Sequence, residues 1–374
     1  PSPAIRPSPQ VSTTAPAAGT LDIVDNPTSI DLFAGAGGTT AGLLLAGCDV
    51  RLAVECDKDA AATYSANFPR VQLLPQPIET YTPSYILHKA GLHRGTLDIV
   101  SACPPCQGFS TLGKCDPHDD RNDYVQTVEA LVEQLCPRAL ILENVPGLAR
   151  DPRSSRLKAS LHSIGYGVAS WVLDATEFCV PQRRRRFVLI AVSGLTNAEI
   201  LDPRSSYRCS DWPAHPHTVR NVLDRLGPPT DGDSLHVPRR LPPPILQRVR
   251  AIPHDGGSRS DLPESLQLEC HKRLSQRGAA SVYGRMAWQE PAPTITTRCT
   301  TPACGRFLHP QEDRPITLRE AAAFQTFSPT FRWHGGVMSI GRQIGNAVPV
   351  RLAHLLTLHT IRLIALAQGR RVSF

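Results

Sequence analysis

The sequence predicts an α/β protein in which a mostly parallel, doubly wound sheet is joined to a second, smaller irregular domain. Three observations carry that expectation. Short apolar runs of strand length recur between stretches with helical spacing, the pattern of strands buried on both faces. A glycine turn, Gly35-Ala36-Gly37-Gly38, links the first apolar run to the first helical stretch. After about Ser193 the texture changes to Pro, Arg, His and Ser with weak periodicity. The 374 residues suffice for two domains, at roughly 100–200 residues each.

Residues 1–28 are rich in Pro, Ser, Thr and Ala and are expected to form a disordered tail, because they carry too little apolar surface to order themselves. Ser29–Phe33 is the first expected strand. Thr39–Ala46 follows as a helix closed by Gly47, and Arg51–Val54 as a strand ending at Glu55. Glu55 lies 20 residues past Gly35, a spacing that suits a nucleotide-type site, where such an acid takes ribose hydroxyls. Asp57–Phe68 has helical spacing. Leu97–Ala102 is a buried strand, followed by a long polar loop from Ser110 to Asp123 and a helix from about Tyr124 to Leu135. Arg138–Leu142 and Phe187–Val192 are further strands, with a helix at Ser154–Ile164 between them. Helical pattern returns at Thr317–Phe324 and from about Pro349 to Ala367, with Pro349 acceptable at a helix start. These elements give a main domain of residues 29–193 plus 311–374 and a second domain of residues 194–310.

Composition narrows the function classes. Net charge is +7, and Arg supplies most of the positive charge, which suits a polyanionic partner. The 11 cysteines are odd in number and scattered, so no disulfide framework is expected and a reducing compartment is. No apolar run approaches the ~18 residues of a membrane span. The start of the chain lacks the charged-then-apolar pattern of a secretory signal. A soluble, cytoplasmic protein without a membrane partner is the expectation.

Chemistry concentrates at strand ends. Cys103-Pro104-Pro105-Cys106 follows the Leu97–Ala102 strand, and its two prolines stop the strand and stiffen the turn. A Cys-x-x-Cys pair fits a redox couple or half a zinc site, but no second pair of metal ligands stands at close spacing, so no metal is expected. The alternative is a nucleophile, Cys106, held on a rigid pedestal at the edge of the sheet where ligands bind, with Cys103 as an inert packing residue. Glu143-Asn144-Val145-Pro146-Gly147 puts an acid on the same edge. The four arginines 183–186 precede a strand, so alternation aims Arg184 and Arg186 one way and Arg183 and Arg185 the other.

Taken together these stretches resemble the DNA (cytosine-5)-methyltransferases. The turn Asp31-Leu32-Phe33-Ala34-Gly35-Ala36-Gly37-Gly38 resembles the family's S-adenosylmethionine turn, and Pro104-Pro105-Cys106-Gln107-Gly108-Phe109-Ser110 its nucleophile loop. Glu143–Gly147 is similar to its acid motif and Gln182–Arg186 to its Gln-x-Arg-x-Arg motif. Arg314–Ala322 is similar to the segment supporting its recognition domain, and Gln343-Ile344-Gly345-Asn346-Ala347-Val348-Pro349 to its last motif. Six matches in the family's order, with a variable block before the last two, are highly specific.

The resemblance implies a Rossmann-like, S-adenosyl-L-methionine-dependent fold and a methyl transfer to C5 of a flipped-out cytosine in a specific duplex DNA sequence. It implies that Cys106 adds to C6, that Glu143 serves N3, and that Arg186 holds O2 with Arg184 beside it. For the cofactor it implies contacts from Phe33, Ala34, Gly35, Gly37, Gly38, Glu55, Cys56, Ile78, Pro105, Asn346 and Ala347. Two positions depart from the family pattern: Cys56 stands where a bulky residue often packs on adenine, and Gln76 where an acid often precedes Ile78. Gln107, Ser110, Asn144, Gln182 and Arg298 are the implied DNA and substrate contacts, with residues 194–310 as the target-recognition domain and Thr294–Thr301 as the stretch suited to reading base edges. Double-stranded DNA is the implied partner, with a monomeric enzyme and a restriction endonuclease as its functional counterpart. A tRNA cytosine-5 methyltransferase of the same fold and a non-catalytic DNA-binding relative are the alternatives.

Overall fold

The computed structural model describes residues 26–105, 124–207, 209, 217–230, 232–269, 281–372 and 374. The expected nucleophile Cys106, with Gln107, Ser110 and the loop to Asp123, therefore lies outside the described residues, as does most of the expected tail.

Among the described residues seven strands build one sheet: β1 (Thr28–Leu32), β2 (Asp49–Val54), β3 (Gln72–Leu74), β4 (Ile99–Ala102), β5 (Ala139–Asn144), β6 (Tyr166–Asp174) and β7 (Arg185–Ser193). Their order is β3-β2-β1-β4-β5-β7-β6. All pairs from β3 to β5 are parallel, and β7 runs antiparallel to both β5 and β6. The sheet is thus mostly parallel, as the unbroken apolar runs require.

Helices cover both faces. On one face, α3 (Pro83–Ala90), α4 (Tyr124–Leu135) and α5 (Pro152–Ser163) bury Ile86, Val128, Val132, Leu157 and Leu161 against Leu32, Leu52, Val100, Leu140 and Leu189. On the other, α1 (Gly38–Leu45) and α10 (Val350–Ala367) set Leu43, Leu352, Leu355 and Ile364 against Ile99, Ile141, Val188 and Ile190. The α1 and α10 backbones meet closely: a Cβ on Gly42 would lie 2.5 Å from the Cβ of Ala353. The remaining α-helices among the described residues are α2 (Lys58–Asn67), α6 (Val219–Leu226), α7 (Pro243–Ala251), α8 (Leu318–Phe324) and α9 (Val337–Asn346).

A third core joins Tyr64 and Phe68 to Val222, Ile295, Phe307, Phe324 and Ile344, so part of the chain beyond Ser193 packs against the sheet-bearing body. A small fourth cluster, Val249, Ile252, Leu262, Tyr283 and Leu308, lies wholly in the irregular region.

Two compositional expectations need correction. Cys179 and Cys209 form a disulfide with Cα atoms 5.3 Å apart, a pairing that a sequence separation of 30 does not reveal. The stretch Val337–Ala367 is long and apolar enough to cross a membrane by length and composition alone, but 72% of its apolar window is buried inside the protein. The stretch comprises two helices, and its apolar character belongs mainly to the second, Val350–Ala367, most of whose residues are buried.

Candidate active site

Strand register brings the separate motifs to one edge. Leu32 is paired with both Val54 and Ala102, and Ala102 with Leu142. The residues just beyond these pairs are Phe33, Glu55, Cys103 and Glu143, so four loops leave the sheet side by side, with neighbouring strands about 4.8 Å apart. The order reverses between β1 and β4, which opens a crevice at this edge. On the far side β7 enters antiparallel, pairing Phe187 with Asn144. That reversal brings Arg186, at the start of β7, to the carboxyl end of β5.

The turn after β1 is built for close approach. Phe33 and Gly35 both have positive φ, 59° and 55°. A Cβ on Gly35 would meet nothing within 4 Å, whereas one on Gly37 would strike the Phe68 ring and one on Gly38 the Val348 carbonyl oxygen at 2.4 Å. Gly35 therefore faces open space, while Gly37 and Gly38 seat the turn against α2 and the Asn346–Val348 segment. Ala34 is buried beneath it. The Glu55 carboxylate accepts bonds from Gly35 N–H (2.8 Å) and Asp57 N–H (2.7 Å), and burial raises its pKa. Cys56 is exposed and lines an open depression of about 530 Å³ with Lys58, Leu73, Pro75 and Gln76. Ile78, expected against the cofactor, is only 3% exposed and belongs to the sheet core. Asn346 is exposed and Ala347 half-buried at the end of α9.

Beneath the turn, Thr40 Oγ1 donates to Asp31 Oδ2 (2.7 Å) and lies 2.8 Å from the Tyr64 hydroxyl, tying β1, α1 and α2 together. Asp31 is fully buried, and burial raises its pKa from 3.8 to about 7, with the Thr40 bonds opposing and Glu55 adding a little. Tyr124 packs edge-on against Phe33 at 5.3 Å between ring centroids. The sequence offered only helix-like periodicity for Tyr64 and Tyr124, and so no hint that they stand at this turn.

At the other half of the crevice, Glu143 and Arg186 form an ion pair at 2.9 Å, both side chains nearly buried. Asn144, expected to touch substrate, instead commits its amide: Nδ2 donates to the Pro104 carbonyl (3.0 Å) and Oδ1 accepts from Val145 N–H (2.7 Å). That bond ties the acid-bearing strand to the segment leading into Pro105 and Cys106. Cys103 sits 3.6 Å from Thr39 Oγ1, and its pKa is pushed well up by burial and then by Glu143 and Asp31, so it stays a thiol.

Among the arginines, Arg184 and Arg186 share the inward side and Arg183 and Arg185 are exposed. Gln182 and Arg184 do not face the crevice as free contacts. Gln182 is fully buried, accepting from Ile295 N–H and donating to Gln325 Oε1. Arg184 is 1% exposed and donates to three carbonyl oxygens, of Ile295, Gly345 and Ala347. Both are buried because their partners arrive from chain segments more than a hundred residues away. Arg298 is exposed at the tip of the Thr297–Thr300 turn.

The sequence profile of the C-5 cytosine-specific DNA methylases matches residues 28–361. The chain belongs to that family. Among curated relatives of these methylases, the Type II methylase M.HgiDII of Herpetosiphon aurantiacus is 35% identical over 343 residues, covering 87% of this chain and 93% of its own. The Type II methyltransferase M1.BsuMI of Bacillus subtilis is 33% identical over 354 residues, 89% of this chain and 80% of its own. The Dnmt2 methyltransferase of S. pombe superposes with a TM-score of 0.62 over 92% of this chain and 99% of its own; at 15% identity this likeness concerns the fold alone. The protein is accordingly an enzyme, a C-5 cytosine DNA methyltransferase with the Rossmann-like sheet of that class. Among the described residues no cluster of His, Cys, Asp and Glu is arranged to hold a metal.

Proposed function

We propose that the enzyme transfers a methyl group from S-adenosyl-L-methionine to C5 of a cytosine flipped out of a specific duplex DNA sequence, through a covalent bond between Cys106 and C6. The observation that carries this reading is the Asn144–Pro104 bond, which fastens the strand bearing Glu143 to the segment that runs into Cys106. C5 of cytosine is too weak a nucleophile alone. Addition of the Cys106 thiolate at C6 makes C5 enamine-like, Glu143 holds a proton at N3, and Arg186 supports O2 while orienting Glu143. C5 then takes the methyl group as S-adenosyl-L-homocysteine leaves, the C5 proton passes to water or another base, and the Cys106 thiolate is eliminated. Flipping costs a few kcal/mol, recovered through phosphate contacts from the basic surface.

The cofactor's fit rests on the open space at Gly35 and the acid of Glu55 beside it. When bound, S-adenosyl-L-methionine supplies an electrophilic methyl group. Phe33 and Gly35 would line it while Ala34, Gly37 and Gly38 hold the turn in shape, Glu55 would take ribose hydroxyls, and Asn346 and Ala347 would close the methionine end. Residues 194–310 would read the target, and a restriction endonuclease would be the functional counterpart of this monomer, acting on DNA in the cytoplasm.

Expression in a methylation-free host followed by bisulfite sequencing tests the reaction and maps its target. Cys106→Ser should abolish 5-methylcytosine, and duplex carrying 5-fluorocytosine at the mapped position should trap a covalent adduct, because fluorine blocks elimination. Full activity in the variant, or no adduct on a confirmed target, would overturn the covalent route. Methylation of bulk tRNA in preference to duplex DNA would overturn the substrate.

A further inference from the structure

Three chain segments distant in sequence meet on one buried guanidinium. Arg184 Nη1 donates to the Ile295 carbonyl at 3.0 Å, and Nη2 to the carbonyls of Gly345 at 2.9 Å and Ala347 at 3.0 Å. Ile295 is the second residue of the Thr294–Thr301 stretch, whose turn carries exposed Arg298. Gly345 and Ala347 end α9 beside the glycine turn, since Val348 abuts Gly38. Two residues on from Arg184 stands Arg186 with its carboxylate partner Glu143.

Gln182 and Gln325 repeat the pattern. Gln182 Oε1 accepts from Ile295 N–H at 2.8 Å, and its amide donates to Gln325 Oε1 at 2.9 Å. Gln325 then donates to the Ile344 carbonyl at 2.7 Å and that of Ala347 at 3.2 Å. The loop cannot slide past these anchors: a Cβ on Gly345 would lie 2.3 Å from Thr296 C and Thr297 N.

Arg184 is costly to keep there. Its charge faces three neutral carbonyls, its Nε is buried without a partner, and burial disfavours its charged form, with Arg186 adding to that and Glu143 opposing. A fold needing only stability would fill such a site with an apolar side chain at equal or lower cost. A fork that grips three carbonyls in fixed directions supplies alignment.

We propose that Arg184, with Gln182 and Gln325, is a positioning residue for the methyl transfer: it locks the Thr294–Thr301 loop and the end of α9 to the strand that carries Arg186. Seating of the loop and alignment of the Arg186–Glu143 pair then depend on the same buried node. This rests on the reaction proposed above, and a displacement of about 1 Å in such a site costs on the order of 100-fold in rate.

The test compares wild type with Arg184→Lys and Gln325→Met. Each is titrated for active sites by adduct formation on 5-fluorocytosine duplex bearing the mapped target, and single-turnover methyl transfer is then measured per titrated site at saturating cofactor and DNA. Arg184→Lys keeps the charge but loses the fork, so the per-site rate should fall about 100-fold. Gln325→Met should lower it in the same direction. A merely structural role would reduce the number of titrated sites and leave the per-site rate unchanged, which would overturn the proposal. Failure of both variants to fold would also count against it, because the node would then be a stability element. No adduct with the wild-type protein would instead sink the underlying reaction.

Discussion

Two regions of this molecule fill their interiors by different means. The sheet is packed from apolar side chains, with Leu32, Leu52, Leu140, Ile190 and Leu355 fully enclosed between helices. Among its described residues the irregular region around α7 holds a small apolar cluster and is organised by arginines. Arg285 is fully buried: Nε donates to the Ile252 carbonyl, Nη1 to those of His309 and Glu312, and Nη2 to Val249 and the Asp313 carboxylate. Arg306 gathers the carbonyls of Gly256, Gly257 and Arg285. Loops leave their backbone carbonyls unpaired, and buried carbonyls need donors. A long side chain with five donors satisfies several at once where no ladder can form. The lesson is that a region without regular secondary structure can be specified as tightly as a sheet, at the price of depending on single residues.

Substitutions can break that contrast. Arg285→Met should have the largest effect, about 3–5 kcal/mol, because it leaves the Ile252 and His309 carbonyls without their donor and takes one of two partners from the Val249 and Glu312 carbonyls and from the Asp313 carboxylate. Hydrogen exchange should show protection lost over residues 243–269 and 281–314 while the sheet keeps its own. Uniform loss would mean that the two regions are one cooperative unit. Leu140→Ala should come next, about 2–5 kcal/mol by urea unfolding, and here the loss should be global because the cavity lies in the shared sheet. If only β5 and its neighbours lost protection, the sheet would be as compartmented as the loops.

The most gradual effect sharpens the contrast from the sheet's side, where Asp31 is a buried acid. Its pKa is about 7 in the folded protein against an ordinary 3.8, so the folded state holds the proton more tightly. Stability should therefore fall as pH rises from about 4 to about 7 and level off above, by roughly 1.4 kcal/mol per pH unit at most. Asp31→Asn should flatten that slope in urea midpoints taken at pH 5 and pH 7. An unchanged slope would mean that Asp31 is ionised throughout.

Much of the sheet was legible because its strands are apolar on both faces. β1, β2, β4, β5 and β7 all coincide with such runs, and β7 extends the expected Phe187–Val192 by two residues at its start and one at its end. β6 escaped notice: Gly167 and Ser170 break its apolar residues into short pieces, and as an edge strand it leaves Ala169, Ser170, Trp171 and Val172 half-exposed. α6, α7 and α9 are short and set among prolines, glycines and arginines, which hides their periodicity. At the site, the strand-end acids and the alternation of the arginines could be read from local sequence. The burial of Gln182, Arg184 and Asn144 could not, since it depends on Ile295, Gln325, Gly345 and Pro104, none of them near in sequence. A polar side chain carries no local mark of whether its partner will be solvent, DNA or a distant carbonyl.

The contact of Gly42 with Ala353 has a consequence for how the protein is born. α1 continues directly from the glycine turn, yet the helix that covers it is made roughly 300 residues later, about 15–60 s at ordinary rates of synthesis. Until then one face of the nascent sheet has no lid, and the crevice lacks the wall that α9 and α10 provide. A newly made copy should thus stay silent until α10 has been made and has docked on α1.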